Sequence, residues 1–301
     1  MATSILTRTF DSESDQDINV LATNKYCAPL SRTVDLSFLQ PDVGGTKSIK
    51  AGSIFCNIPN SNFVRVLPLT NVAAALTSSD TTVTVADAKI FRNGGALTIA
   101  RPYATLTFGG TVAPGNTVTN TLQGQALPYT LLAGDTTATI AAASFAAFIN
   151  AGSASDKVRA IASGLLVHFF SKTGIPYTFA TSVTGGGITS VASATIMQEN
   201  VVIAAIHAST PINTATNLIT LAAGSAVTLP IGSPIGIVTK PSDILGLSVE
   251  KRLVASTQAL QMSLSNDVNI YTEADIYTSL IPFWDSVIAS ALPQITSVAR
   301  G

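Results

Sequence analysis

Residues 117–150 read TVTNTLQGQALPYTLLAGDTTATIAAASFAAFIN, and this stretch decides the fold class because it predicts strands and a helix in succession. Threonine and apolar residues alternate at 117–122, and residues 127–132 are apolar and contain a tyrosine. Alternation of this kind is typical of half-buried strands.

A helix is predicted directly after the second strand. Asp135, Thr136 or Thr137 can cap it, because their side-chain oxygens accept hydrogen bonds from the free N–H groups of the first turn. Residues 138–150 are rich in alanine, the best helix former. The pattern puts one group of larger apolar side chains near a single face of this helix: Ile140, Phe145, Phe148 and Ile149.

The neighbouring sequence adds more strands on both sides of this helix. Strands are predicted at 106–112 (LTFGGTV), 157–162 (KVRAIA), 164–170 (GLLVHFF), 177–183 (YTFATSV) and 188–195 (ITSVASAT). A helix laid on such a sheet makes a small α+β unit. We therefore predict an inserted α+β module at residues 106–198.

The sequence on either side of the module predicts one β-barrel or sandwich built from residues 48–105 and 199–301. Residues 49–67 contain two strand patterns around a polar turn at 60–62, which indicates a hairpin. A weak likeness links the two parts, because a threonine-bearing strand, a loop, a glycine and a second strand occur in both. The first copy is TTVTV at 81–85 with ALTIA at 96–100, and the second is NLITL at 217–221 with IGSPIGIV at 231–238.

The two ends of the chain have patterns of their own. Residues 1–47 are polar and predict an extended arm, with acidic residues at 11–17. Strands are predicted at 260–264 and 268–271. Residues 274–292 have a helical rhythm, with Pro282 at the helix start and Pro293 at its end. The fold class is thus mainly β with some α, with an N-terminal arm and a C-terminal helix.

The composition excludes several classes of function. Only 11% of the residues are charged, the net charge is −1 and there is no basic run, so no electrostatic footprint for nucleic acid exists. We find no secretory signal pattern at the amino end and no apolar run long enough to span a membrane. A surface this poor in charge has little to repel neighbouring subunits, which favours a protein that other subunits cover.

No constellation of catalytic or metal-ligating residues can be assembled from the sequence. His168 and His207 are the only histidines, and each stands in or after an apolar strand, where packing is the expected role. Cys27 and Cys56 fit no metal or disulfide pattern and are expected to be buried thiols. The glycines at 44–45 and 185–187 lack the spacing of a phosphate loop. We predict no catalytic residue, no metal, no cofactor and no enzyme activity.

The predicted module resembles a small domain that is common in tailed-phage virion proteins and in repetitive surface adhesins. In that domain five short motifs follow in a fixed order. They stand here as GTV at 110–112, TVT at 117–119, PYT at 128–130, AGDT at 133–136 and AAFIN at 146–150. The resemblance covers about 90 residues. It implies a generic assembly domain and does not by itself imply one function.

A second stretch, IKAGSIF at 49–55 with NFVRVL at 62–67, resembles the opening of phage head-decoration, or cement, proteins. The resemblance implies a β-rich protein, often trimeric, that clamps neighbouring major capsid subunits from outside. This chain differs from that family in its length and in its inserted module, which leaves its position on the particle open.

The favoured hypothesis is therefore a capsid cement protein that is made in the host cytoplasm and lies on the capsid surface of the virion. Its partners would be the major capsid protein and further copies of itself, with a trimer expected. A tail, fibre or baseplate protein is the first alternative, and a bacterial surface adhesin domain is the second. Candidate interface residues come from the hairpin and the aromatic cluster near the carboxyl end: Ile54, Phe55, Phe63, Val64, Tyr277, Phe283 and Trp284.

Overall fold

The fold is mainly β with few helices, as the sequence predicts. The structure is a computed structural model, and it describes residues 21–26, 30–41, 45–58, 60–237, 244–247, 252–256, 267–270, 274–276, 281 and 283–297. Its elements in chain order are β1 (Leu21–Tyr26), β2 (Leu30–Thr33), a 3-10 helix (Leu36–Phe38), β3 (Thr46–Ile49), β4 (Ile54–Asn57), β5 (Val64–Val66), β6 (Leu69–Asn71), β7 (Thr82–Thr84), β8 (Ala96–Ile99), β9 (Tyr103–Gly110), β10 (Thr117–Leu122), β11 (Gln125–Thr130), α1 (Ala138–Ala151), β12 (Val158–Ser163), β13 (Leu166–Ser171), β14 (Phe179–Thr184), β15 (Ile188–Ala192), β16 (Val202–Ala205), β17 (Leu218–Thr220), β18 (Pro234–Gly236), β19 (Ile244–Leu247), β20 (Arg252–Ser256), β21 (Asp267–Ile270), β22 (Ala274–Ile276), α2 (Ser286–Ala291) and β23 (Ile295–Ser297).

The middle of the chain has a hydrophobic core of its own, formed by residues between Ala104 and Met197. Two antiparallel sheets enclose it, one with strand order β11-β10-β14 and one with order β12-β13-β9-β15. The helix α1 contacts strands of both sheets. At the border of this region Tyr103 and Gln198 exchange two backbone hydrogen bonds of 2.8 and 2.7 Å, so the chain enters and leaves it at one place.

The helix α1 lies at the predicted position, but only part of its predicted apolar face is buried. Thr137 is the capping residue, and its hydroxyl accepts a hydrogen bond from the N–H of Ile140. The side chain of Ile140, predicted to face the core, is 41% exposed. The buried face consists of the i, i+4, i+8 row of Ala141, Phe145 and Ile149, together with Ala142 and Ala146, so the predicted Phe145 and Ile149 are confirmed and Ile140 is not.

The likeness between the two flanking segments is a structural duplication. The strand β7 pairs with β17, with Val83 opposite Ile219, and β8 pairs with β18, with Ile99 opposite Ile235. Both segments contribute to one hydrophobic core, which contains residues from Val72 to Tyr103 and from Ile203 to Ile235, together with Phe170. The two predicted copies therefore lie against one another in a single β unit.

Backbone hydrogen bonds of this β unit occur as reciprocal pairs. Val72 donates to the carbonyl of Ser233 and accepts from Gly232, at 2.9 and 2.8 Å. In the other copy Ile206 donates to the carbonyl of Gly95 and accepts from Gly94, at 2.7 and 3.2 Å. Each copy thus supplies a glycine turn that forms backbone hydrogen bonds with the other copy. This reciprocal arrangement is what a local two-fold relation between the copies requires. We call residues 68–99 and 201–237 the duplicated unit.

The predicted hairpin is confirmed, because β4 pairs antiparallel with β5 and the chain turns between Asn57 and Val64. On its other side β4 pairs with β19. The described part of the predicted N-terminal arm contains short strands and the 3-10 helix at Leu36–Phe38, and its Val34 and Leu39 are buried in a core of the same chain. Its strands β1 and β2 pair with β22 and β21, so this segment is joined to the carboxyl end of the same chain.

The predicted helix at 274–292 is wrong in its first part. Residues 274–276 form β22, which lies between β1 and β23 with the side chain of Ile276 fully buried. Pairing on both sides overrides the local helical rhythm. The helix α2 begins only after Asp285, whose carboxylate accepts a hydrogen bond from the N–H of Ile288, and it ends before Pro293 as predicted. Pro282, Tyr277 and the predicted strand at 260–264 lie outside the described residues.

Candidate binding groove

Most of the predicted hairpin contact residues are buried in the folded chain. Ile54, Phe55 and Val64 have side chains that are 4%, 0% and 1% exposed, because they pack into two adjoining hydrophobic cores. Phe63, at the turn of the hairpin, is 48% exposed. Of the described hairpin candidates, only Phe63 therefore presents a large apolar surface to a partner.

The other two described candidates, Phe283 and Trp284, are half-buried and line a groove of about 550 Å³. The groove lies where the duplicated unit, the middle of the chain and the segment before α2 meet. We call it the aromatic groove. Its lining residues are Asn71, Arg101, Arg159, Phe170, Ser171, Lys172, Pro234, Ile281, Phe283, Trp284 and Asp285.

Charged side chains from three parts of the chain also line the aromatic groove. Arg101 and Asp285 form a salt bridge, with hydrogen bonds from Nε and Nη2 of Arg101 to Oδ2 of Asp285 at 2.8 and 2.5 Å. Arg159 donates to the carbonyl of Gly232 at 3.1 Å, and Lys172 donates to the carbonyl of Ser155 at 2.6 Å. The described part of the lining thus contains three basic residues and one acidic residue.

The sequence did not reveal these cations as a group. Arg101, Arg159 and Lys172 stand far apart in the chain, and none belongs to a basic run. Only the folding of the middle region against the duplicated unit brings them together. The aromatic part of the groove was accessible to sequence analysis, because Phe283 and Trp284 are adjacent in a chain with a single tryptophan.

A second, smaller cavity of about 270 Å³ lies beside the hairpin, and Phe283 lines this one as well. Its other lining residues include Ile54, Val66 and Leu69. Lys50 and Asp87 at its edge form a salt bridge with an Nζ–Oδ2 distance of 2.7 Å. The charges of these two residues therefore compensate each other.

His168 is a packed residue, as predicted. Its side chain is 0% exposed, and the hydroxyl of Tyr103 lies 2.8 Å from its Nδ1. Among the described residues, Nε2 of His168 has no hydrogen-bond partner. Burial disfavours the charged imidazolium and lowers the pKa of His168 to about 4, and burial also raises the pKa of Tyr103. His207 has a structural role in a turn, where its Nδ1 accepts from the N–H groups of Ser209 and Thr210.

A buried carboxylate stabilises the start of α1. Asp135 accepts hydrogen bonds from the hydroxyl of Tyr129 and from the N–H of Leu132, both at 2.8 Å. Burial acts to raise the pKa of Asp135, but hydrogen bonds from Ser144, Leu132 and Tyr129 favour the charged form and lower this pKa overall. Of the two cysteines, Cys56 is buried as predicted, and Cys27 lies outside the described residues.

The three-stranded sheet β11-β10-β14 turns a face without charge toward solvent. By strand register its outward side chains form three rows, and every one of them is exposed or half-exposed. The rows are Thr130–Thr117–Thr184, Pro128–Thr119–Ser182 and Ala126–Thr121–Ala180. We call this surface the threonine face. Its opposite side carries Val118, Leu122 and Phe179 into the core.

The described residues contain neither a metal-ligand cluster nor a membrane-spanning helix. No group of three or more His, Cys, Asp or Glu side chains stands close enough together there to hold a metal ion. Among the helices of the same part of the chain, none has the length and apolar character needed to cross a membrane.

Comparisons with known proteins identify no family. No family model matches the chain, and no curated protein matches it. Among solved structures, a chain from Mycobacterium phage Patience is similar over 72% of this chain and 96% of its own length. The identity is 10% and the TM-score is 0.22. A likeness of this size supports no inference about fold or function.

Proposed function

We propose that this chain is a structural protein of a bacteriophage particle, which binds the outside of the capsid and bridges major capsid subunits. The observation that carries the proposal is the threonine face. It is a sheet surface with three rows of outward side chains and no charge, in a chain of which only 11% of residues are charged. The resemblance of residues 49–67 to the opening of cement proteins supports the same role.

A surface of this composition suits contact between subunits. Burying threonine and alanine requires no desolvation of ions, and threonine hydroxyls can pair across a contact. Large apolar side chains are also more than half exposed at Leu132, Ile175, Val191, Val202 and Ile231. Because a capsid repeats the same contact many times, weak individual contacts add up through avidity.

The hairpin turn is the proposed contact with the major capsid protein. Phe63 is 48% exposed at the turn, while the strands on both sides are held in the core by Phe55 and Val64. An aromatic side chain on a rigid support can serve as an interface anchor at small entropic cost. Copies of the chain would join as a trimer, or stay monomeric until a capsid is supplied.

A tail, fibre or baseplate protein is the alternative, favoured by the resemblance of residues 110–150 to a domain of tailed-phage virion proteins. That resemblance extends to repetitive surface adhesins, so an adhesin domain is a further alternative. These roles differ in symmetry, because tail proteins stack into rings or tubes whereas a cement protein occupies separate sites on a shell.

The experiment is negative-stain imaging of the purified protein, alone and after mixing with capsids stripped of accessory proteins. Regular projections on the shell, with improved survival of the shell on heating, are the expected result. Tubes, rings or fibres formed by the protein alone, without capsid binding, would contradict the cement role and favour the tail role.

Two substitutions locate the contact once binding is seen. Thr119→Lys puts a charge in the middle row of the threonine face, and Thr82→Lys puts the same charge on an exposed position of β7, in a different sheet. We expect Thr119→Lys to weaken capsid binding or self-association and Thr82→Lys to leave both unchanged. Phe63→Ser tests the hairpin contact in the same assay, with the exposed Ile140→Ser on α1 as its control.

A further inference from the structure

We infer that the contact between the middle region, residues 103–198, and the duplicated unit opens in acid, because protonation of the buried His168 separates the two folded units. This inference concerns the chain itself and does not rest on the proposed capsid role. The chain crosses between the units where Tyr103 and Gln198 pair. Apart from Tyr103 and Phe170, each of the two cores is built from one unit alone, so the units can separate while both cores persist.

The side chain of His168 faces the duplicated unit. On strand β13, Val167 and Phe169 lie in the core of the middle region, so His168 and Phe170 face the opposite way. Phe170 belongs to the core of the duplicated unit, and Ile161, which pairs with His168 from β12, packs against that core. The duplicated unit therefore supplies the cover under which His168 is 0% exposed.

The surroundings of His168 suit only the neutral imidazole. Its Nδ1 lies 2.8 Å from the hydroxyl of Tyr103, and its Nε2 has no hydrogen-bond partner in the part of the chain that the structure describes. A protonated ring carries an N–H group at both positions, so one donor would be buried without an acceptor. Burial also disfavours the charge itself and lowers the pKa of His168 to about 4.

The charged and titratable groups around His168 do not offset this burial. On β9 its neighbours are Thr105 and Tyr103, and burial raises the pKa of Tyr103, so this hydroxyl stays neutral. On β12 the same face carries Arg159, whose guanidinium donates to the carbonyl of Gly232 in the duplicated unit. The core of the duplicated unit contributes apolar side chains. Among the described residues, no charged side chain contributes to the pKa of His168, for which burial is the cause.

Opening the contact exposes the imidazole to water and returns its pKa toward the ordinary value of 6.5. The opened state then binds a proton that the closed state excludes, so acid favours the opened state. With pKa values of 6.5 and about 4 for the opened and closed states, the opening equilibrium shifts by about 20-fold between pH 7 and pH 5.

Thiol labelling of the full chain with dithiodipyridine, which reacts in acid as well as at neutral pH, measures the opening at a chosen position. Ile161→Cys reports on the contact, because this half-buried side chain packs against the core of the duplicated unit. Val167→Cys is its matched control, since the fully buried Val167 faces the core of the middle region. Both positions lie in the tryptic peptide 160–172, which contains no native cysteine, so mass spectrometry separates their labelling from that of Cys27 and Cys56.

Each variant is labelled at pH 7 and at pH 5, with His168 present and in a His168→Gln background. Comparison with this background removes the pH dependence of the thiol reaction and of His207, because both are unchanged in it. At position 161 we expect acid to increase the labelling rate about 20-fold more when His168 is present, and at position 167 we expect no such difference. Equal pH dependence in both backgrounds would overturn the inference. So would the same His168-dependent increase at position 167, because it would show that acid unfolds the middle region instead of opening the contact.

The wild-type protein gives a second measurement that does not depend on how the variants fold. The chain has two histidines, so NMR can follow the imidazole signals of His168 and His207 separately through a pH titration. We expect the His168 signal to remain that of the neutral ring at pH values below 6.5, where an unburied histidine is already protonated. A His168 signal that titrates at 6.5 while the rest of the spectrum stays unchanged would contradict the inference, because the closed contact would then accept the charged ring.

Discussion

The middle of the chain and the duplicated unit each have a hydrophobic core, but the strands around the two cores pair over different distances in the sequence. In the middle region, β10 pairs with β11 and β12 with β13 across short turns, and one continuous stretch supplies the whole core. In the duplicated unit, Val83 pairs with Ile219 and Ile99 with Ile235, so the partners lie on opposite sides of the inserted sequence. Local pairing has a small loop-closure cost, whereas the distant pairing bears a larger one.

The middle region reduces that cost for the duplicated unit. The backbone hydrogen bonds between Tyr103 and Gln198 bring the two flanking segments to one place. Once they form, the segments that end at Ile99 and begin at Val202 are neighbours, and β8 can pair with β16. The comparison of the two regions indicates that a locally folded insertion can connect two segments that are far apart in sequence and pair in one β unit.

The strongest test of this comparison is to separate the regions. A fragment of residues 102–198 is expected to fold alone, because it contains a complete core and its ends meet at Tyr103 and Gln198. A fragment of residues 68–99 is expected to stay unfolded, because β7 and β8 have their partners in the other copy. Circular dichroism and amide proton dispersion in NMR spectra measure both outcomes.

The core of the folded fragment can be checked with Phe145→Ala. Phe145 is fully buried and packs against Phe108, Tyr129 and Phe169, so its removal should cost about 3–5 kcal/mol. The control Ile140→Ala on the same helix should change the free energy of unfolding little, because this side chain is 41% exposed. An unfolded wild-type fragment would show that the middle region depends on the duplicated unit.

The next effect concerns pH at the junction of the regions. His168 lies on β13, while its partner Tyr103 packs into the core of the duplicated unit. Burial lowers the pKa of His168 to about 4 in the folded protein, below the value of 6.5 for an unburied histidine. The unfolded chain therefore binds one more proton than the folded protein between these two values. The free energy of unfolding should fall by up to roughly 3 kcal/mol as the pH drops from about 6.5 to about 4.

Urea unfolding at a series of pH values measures this effect, with His168→Gln as the comparison. The glutamine variant has its own free energy of unfolding at pH 6.5. Between pH 6.5 and pH 4 this free energy should fall by less than in the wild type, and the difference is the part that protonation of His168 causes. Asp135, whose pKa is lowered, loses its contribution at a lower pH, below its ordinary value of 3.8. The same pH dependence in both proteins would show that His168 is not held neutral.

The smallest expected effect tests the two-fold relation within the duplicated unit. Gly94 and Gly232 occupy matching turns with φ of +74° and +84°, a backbone conformation that costs an L-residue about 1–2 kcal/mol. A Cβ at Gly94 would meet open space, whereas one at Gly232 would lie 3.0 Å from Nη2 of Arg159. We expect Gly94→Ala to cost about 1 kcal/mol and Gly232→Ala somewhat more.

Thermal or urea unfolding of these two variants gives the measurement, and Gly186→Ala serves as the control. Gly186 has no positive φ and open space around its Cα, so alanine there should be close to neutral. If either substitution in the duplicated unit were neutral as well, the matching turns would not be equivalent in energy.

The predicted elements are most accurate where the sequence contains its own start and stop signals. The helix at 138–150 and its threonine cap are confirmed within one residue, because alanine content and the AGDTT segment act locally. The prediction at 274–276 is wrong, since β1 and β23 pair with this segment from both sides and no local signal reports them. Ile140 is 41% exposed while Ala141 is buried, since the helical row that faces the core depends on how α1 packs on the sheets.

The candidate site was likewise predictable from the sequence only in part. Two adjacent aromatic residues at 283 and 284 were sufficient to mark one wall of the aromatic groove. The cations opposite them come from β12, from the end of β13 and from the link before β9, and their approach depends on how these strands pair. The burial of Ile54, Phe55 and Val64 also followed from packing, since the alternation of a strand does not say which of its faces another element covers.

Propensity, turn chemistry and composition act within a few residues, and they were enough to predict the β-rich class, the helix α1, the hairpin at 49–67, the packing of His168 and the low charge of the chain. The reciprocal pairing of the duplicated unit and the approach of Arg101, Arg159 and Lys172 at the aromatic groove became known only from the folded structure. Each of these depends on groups far apart in the chain, and distance along the chain carries no information about contact until the strands have paired.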